Sequence, residues 1–109
     1  MFKKVCIIGC GLIGSSLARA IKKNSLAKKI VSSNRSDVIN KRVVELKIVD
    51  DSSSNPKEMV NGSDLVIIAT PLSSYQNVIL KIKDSLNNGT ILTDVGSVKE
   101  NVMNLVEKN

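Results

Sequence analysis

The chain has 109 residues, enough for one domain with a single closed core. Its 42% hydrophobic and 24% charged content is that of a soluble globular protein, and with only Phe2 and Tyr75 as aromatics the core must be built from Ile, Val, Leu and Ala. The net charge of +6 sits in scattered pairs such as Lys3-Lys4, Lys22-Lys23 and Lys28-Lys29; with no basic stripe and almost no ring to stack a base, it reads as a lysine-rich solvated surface and argues against nucleic-acid binding.

Taken in chain order, residues 5–8 are a short apolar run stopped by glycine, the pattern of a strand buried on both faces. Over 12–23, Ile13, Leu17, Ala20 and Ile21 recur at helical spacing. Residues 30–33 read as a second, weaker strand. A helix is expected over 37–47, with Val38, Arg42, Val43 and Leu46 placed to lay an aliphatic edge on a sheet. Ile48-Val49 would then be a short third strand, and 50–55 (DDSSSN) a polar loop. Pro56 suits the first position of a short helix.

The run LVII within 64–69 is the strongest strand signal in the chain. A helix over 73–86 follows, stopped by Asn87-Asn88-Gly89. Residues 90–94 form a fifth strand, and the pattern from Val98 onward is helical. That last segment closes without a capping glycine, which reads as a cut inside a longer protein. Strands alternating with helices of this length need crossover connections, hence a parallel sheet. The expected fold is α/β: a doubly wound, three-layer Rossmann domain over 1–109 with strand order 3-2-1-4-5.

Met1 to Lys4, an apolar stretch and Ala18-Arg19-Ala20 have the outline of a signal peptide, but three glycines interrupt the stretch and the same architecture continues past it. No apolar run approaches the ~20 residues that span a bilayer. The chain is expected in the cytoplasm, away from membranes. Cys6 and Cys10 would lie about 13 Å apart in an extended chain, out of disulfide reach, and without histidine they form no zinc set. Both read as small buried hydrophobes in a reduced compartment.

Gly9-Cys10-Gly11-Leu12-Ile13-Gly14 is a GxGxxG motif between a strand and a helix, the context in which it binds a dinucleotide. Gly9 permits the tight turn, Gly11 leaves the backbone bare for a diphosphate, and Gly14 lets helix and strand approach. The helix N-terminus then faces the diphosphate with its amides and positive dipole end. At the end of the second strand, where an acidic residue usually meets the adenosine ribose of NAD, stand Asn34-Arg35-Ser36. Asparagine removes the charge that would repel a 2′-phosphate, and Arg35 offers a cationic fork for one. NADP is therefore favoured. The alternative has Arg35 stacked on adenine and Asn34 bonded to the 2′-hydroxyl, leaving NAD adequate.

Two further segments follow strand ends and should line the cofactor crevice: Ala69-Thr70-Pro71 and Asp94-Val95-Gly96-Ser97-Val98-Lys99. Together GCGLIGSSLARAI, DLVIIATP and TDVGSVK resemble the N-terminal domain of prephenate dehydrogenases, including the cyclohexadienyl and arogenate dehydrogenases, over nearly the whole chain. The resemblance implies a part in tyrosine biosynthesis: oxidation of the ring hydroxyl of prephenate or arogenate, hydride transfer to NAD(P) and loss of carbon dioxide. It implies that Ser97 sits near the nicotinamide and orients the substrate hydroxyl, that Gly9, Gly11 and Gly14 form the phosphate loop, and that Thr70-Pro71 wall the nicotinamide ribose.

Asn34 departs from the aspartate common in the family. The family's histidine downstream of the serine, and the helical C-terminal domain that binds substrate and forms the homodimer, have no counterpart in these residues. A base within hydrogen-bond reach is needed to deprotonate a hydroxyl as hydride leaves. The expectation is a chain that binds dinucleotide without turning over prephenate. Two other readings share parts of the pattern. Imine and β-hydroxyacid reductases have a similar second-strand end but are not expected to carry DVGSVK. A non-catalytic NAD(P)-sensing module would have no use for Ser97.

Overall fold

The computed structural model describes residues 1–9 and 11–94. Cys10, Ser97 and the expected final helix lie outside the described residues.

Five strands form one parallel sheet in the order β3-β2-β1-β4-β5: β1 Phe2–Ile8, β2 Ala27–Ser33, β3 Asp51–Ser53, β4 Leu65–Ile68 and β5 Ile91–Asp94. The helices are α1 Leu12–Lys23, α2 Asp37–Glu45, α3 Pro56–Val60 and α4 Tyr75–Ile82. Alternate side chains of β1 point to opposite faces, as strand geometry requires. Val5 and Ile7 pack with Leu17, Ala18 and Ile21 of α1 and Val43 of α2. Cys6 and Ile8 pack with Met59 and Val60 of α3 and Ile82 of α4. The result is the three-layer Rossmann arrangement expected from the alternation of elements, with β1 at the point where the chain reverses its direction of winding.

The third strand is a correction. It is not Ile48-Val49 but the polar triplet Asp51–Ser53, inside the stretch expected to be a loop. The cause lies at the end of α2. Lys47 adopts a left-handed conformation (φ +59°); its N–H donates to Val44 O (3.0 Å), and Ile48 N–H donates to Val43 O (2.9 Å). This is a Schellman termination, with a lysine where glycine is usual. It ends the helix early and turns Ile48 and Val49 into the core as loop residues. Pairing with β2 then begins two residues later, in register Val31↔Asp51 and Ser32↔Ser52. An edge strand needs no apolar pattern when its partner supplies the ladder. The same termination, with Ser25 at φ +53°, closes α1.

The helix faces also differ from expectation. In α1 the buried positions are Gly14, Leu17, Ala18 and Ile21, whereas Ile13 is 53% exposed. The small residues face the sheet because only they allow the close approach. In α2, Val38 is 75% exposed and Leu46 also faces solvent, while Asn40 is buried beside Val43. The helix expected over 73–86 is shorter, with a 3-10 turn at each end.

Cys6 is a fully buried free thiol in β1, and its burial pushes the pKa up to about 12, with Lys4 acting in the opposite direction. A thiol in an unfolded chain ionises near 9. Between those values the unfolded chain has lost a proton that the folded one keeps, so stability contributed by the neutral thiol falls as pH rises from about 9 to 12. Iodoacetamide at pH 8 is expected to leave Cys6 unmodified in the native protein and to label it in denaturant. Peptide mapping by mass spectrometry distinguishes it from Cys10; labelling of native Cys6 would contradict its burial.

Candidate functional site

The carboxyl ends of β1, β2 and β4 are tied together just beyond the regular ladder. Gly9 N–H donates to Ser33 O (2.8 Å), and Ala69 N–H donates to Ile8 O (2.8 Å). Above these ends opens a cleft of about 530 Å³. Gly9 and Gly11 lie at its β1–α1 corner, Asn34 to Ser36 at its β2 end, and Ala69 to Pro71 at its β4 end.

Gly9, Gly11 and Gly14 meet different constraints. Gly9 has φ +85°, and a Cβ there would stand 2.8 Å from Thr70 Cγ2. Gly14 packs so tightly under the corner that a Cβ would stand 2.9 Å from Gly9 O. At Gly11 a Cβ would meet nothing within 4 Å among the described residues. Its bareness answers no steric demand from the described residues. Gly11 is also the N-cap of α1, and it offers no side chain to cap the helix. By contrast, Ser36 Oγ accepts from Ile39 N in α2, and Asn55 Oδ1 accepts from Lys57 N in α3. No acidic residue occupies the first turn of α1. Leu12 is 87% exposed and Ile13 also faces outward, so any role for them in binding belongs to the backbone.

The side chain of Asn34 is directed inward. Its Nδ2 donates to Asn40 Oδ1 (3.0 Å) and lies within 3.5 Å of Ser32 Oγ and Ser52 Oγ. Arg35, next in the chain, is exposed on the cleft. Among the described residues its guanidinium has no hydrogen-bond or ion-pair partner. Thr70 Oγ1 is buried and has no hydrogen-bond partner among the described residues. Beside it, Tyr75 Oη donates to Ile68 O (3.3 Å), and burial first, then the Asp94 carboxylate, holds this phenol above its ordinary pKa. Asp94 ends β5; Val95 to Lys99, including Ser97, lie outside the described residues.

Sequence reasoning missed the wall formed by α4. Ser74, Asn77, Val78 and Lys81 all line the cleft. Their spacing of three, one and three places them on one helix face, a stripe that was legible had polar residues been counted as well as apolar ones. Lys81 brings a second cation to the cleft that Arg35 borders. No cluster of metal-ligating side chains occurs among the described residues, and no helix among them is long and apolar enough to cross a membrane.

Residues 17–109 match the family model described as prephenate dehydrogenase, nucleotide-binding domain. The chain is 31% identical over 109 residues to a cyclohexadienyl dehydrogenase of Zymomonas mobilis, covering 100% of this chain and 37% of that protein. It is 34% identical over 107 residues to a prephenate dehydrogenase of Lactococcus lactis, covering 97% of this chain and 30% of that one. It thus spans about a third of the length of these curated relatives. Among solved structures it is similar in fold to prephenate dehydrogenase from A. aeolicus in complex with hydroxyphenyl propionate and NAD+, with a TM-score of 0.79 at 21% identity, over 86% of this chain and 33% of that one.

Proposed function

The chain belongs to the prephenate dehydrogenase nucleotide-binding domain family, and from that premise we propose that its cleft binds a nicotinamide dinucleotide, with NADP preferred over NAD. The observation that carries this is the open corner at Gly11: an uncapped helix start, free of acidic residues, beside bare backbone with space above it. A diphosphate fits such a corner by charge and by size. Thr70 Oγ1, buried without a partner among the described residues, supplies a hydroxyl beside the glycine corner on its β4 side, away from Arg35 on the β2 side, and Pro71 flanks it. The nicotinamide end would lie there and the adenosine end beside Arg35 and Ser36.

When bound, the dinucleotide supplies a hydride acceptor. The chain's own residues hold and orient it: Gly9, Cys10 and Gly11 shape the turn and keep it bare, the amides of Leu12 and Ile13 in the first turn of α1 meet the diphosphate above Gly14, and Arg35 and Ser36 at the end of β2 meet the adenosine end, with Asn34 turned inward behind them. Ser97 we assign to orienting the substrate hydroxyl, on the strength of the DVGSVK segment shared with the family. The family supports the cofactor half of a tyrosine-pathway dehydrogenase acting on prephenate or arogenate. We assign to the whole enzyme, not to this chain, the choice between those substrates and any pairing of subunits. A cytoplasmic setting accords with the buried free thiol of Cys6.

Preference for NADP rests on the exposed guanidinium of Arg35 and on the absence of a carboxylate at position 34. A hydrogen bond to a charged group contributes roughly 1.5–3 kcal/mol, about ten- to hundredfold in affinity. Arg35→Ala is therefore expected to weaken NADP by that factor and to change NAD by less than about threefold, read by calorimetric titration of both cofactors. NAD binding more tightly than NADP to the unaltered protein would refute the preference, and no heat with either would refute the site.

A further inference from the structure

Asn40 is buried on α2, and its amide grips the residue that precedes Arg35. Asn40 Oδ1 accepts from the backbone N–H of Asn34 (3.1 Å), and Asn40 Nδ2 donates to the backbone carbonyl of the same residue (2.9 Å). The Asn34 N–H also points to Ser53 O of β3 (3.3 Å). One amide thus holds both main-chain groups of one residue. Rotating it by half a turn would set donor against donor and acceptor against acceptor, so its orientation is fixed by the backbone. With its oxygen so placed, Asn40 requires donors from its other neighbours. They are Asn34 Nδ2 (3.0 Å) and Ser52 Oγ (2.5 Å), and Ser52 is in turn bonded to Ser32 Oγ (2.7 Å).

A carboxylate at position 34 would bring a second acceptor against Asn40 Oδ1 in a buried site, where an unmatched polar pair is costly. The same clamp fixes the direction in which the chain leaves β2 and so where Arg35 stands at the cleft. We infer that Asn40 is a positioning residue for cofactor discrimination: it draws the Asn34 amide inward, disfavours the acidic residue that would select NAD, and sets Arg35 toward the adenosine end. This rests on the dinucleotide-binding reading above.

The test is titration of the full-length protein with NADP and with NAD, in the unaltered form, Asn40→Ala, Arg35→Ala and the double variant, with thermal unfolding alongside. Asn40→Ala is expected to lower the NADP:NAD affinity ratio about tenfold, the worth of one charge-assisted hydrogen bond. In the Arg35→Ala background it should alter that ratio less than about twofold, because its effect passes through the guanidinium. Equal weakening of both cofactors, or a tenfold ratio change that persists without Arg35, overturns the inference. If Asn40→Ala does not fold, Asn40→Asp keeps the acceptor and loses the donor to Asn34 O; a ratio lowered about threefold supports the clamp, and an unchanged ratio overturns it. The parent reading fails separately: neither cofactor binds the unaltered protein, or Arg35→Ala leaves the ratio untouched, and this inference falls with it. A ratio that depends on Arg35 but not on Asn40 removes the clamp alone.

Discussion

Gly11→Val is expected to leave the protein folded and to abolish dinucleotide binding. The position has φ −78° and ψ −155°, extended backbone open to any L-residue, and a Cβ there meets no heavy atom of the described residues within 4 Å. Valine is a poor residue at the start of a helix, so a cost of about 1 kcal/mol or less is expected. What the side chain takes is the space above the first turn of α1. A diphosphate held by backbone amides cannot reach them past a branched side chain, and losing two charge-assisted bonds weakens binding at least about 100-fold. Circular dichroism and thermal unfolding check the first half, calorimetry with NADP the second. A Gly11→Val protein that binds NADP like the unaltered one would place the cofactor elsewhere.

Gly14→Val should do the reverse and strike the fold. A Cβ at this position stands 2.9 Å from Gly9 O, 3.4 Å from Ile7 Cγ2 and 3.5 Å from Ala69 Cβ. The first of these is backbone, and Gly9 O also accepts from Gly11 N (3.0 Å), so moving it disturbs the turn itself. Replacing glycine within a helix ordinarily gains up to about 1 kcal/mol of propensity, less for a β-branched residue. Overpacking of this kind costs 1–3 kcal/mol or more, and valine adds two methyl groups beyond the clashing carbon. The expected net loss is about 3 kcal/mol, a fall in melting temperature of roughly 15 °C for a domain of this size. A Gly14→Val protein that melts with the unaltered one would mean that α1 does not lie against β1 as described. The two variants together separate a glycine kept bare for a ligand from a glycine kept bare for packing.

The parts of the cleft that sequence reasoning reached are those written in consecutive residues. The glycine corner, Arg35 and Thr70-Pro71 each follow a strand directly, and a parallel sheet delivers strand ends to one edge. The α4 wall was missed because Asn77 and Lys81 resemble any solvated helix face until the sheet sets α4 beside the cleft. At Asn34 the motif indicates the missing carboxylate and, as the alternative, a bond to the ribose 2′-hydroxyl; it does not indicate where the side chain points. Its inward direction depends on Asn40 and Ser52, six and eighteen residues away, whose proximity only the folded chain creates.

What the amino-acid order fixed unaided was the alternation of strands and helices, their parallel pairing and the order 3-2-1-4-5. These follow from periodicity, glycine punctuation and the handedness of crossovers, all of which are local or topological. Tertiary structure alone decided that β3 is Asp51–Ser53, that Ala18 rather than Ile13 faces the sheet, and that Asn40 is interior. In each case a single-residue preference was overruled by what its neighbours required: a partner strand with free backbone groups, a gap too narrow for a branched side chain, or a buried main-chain pair in need of an amide.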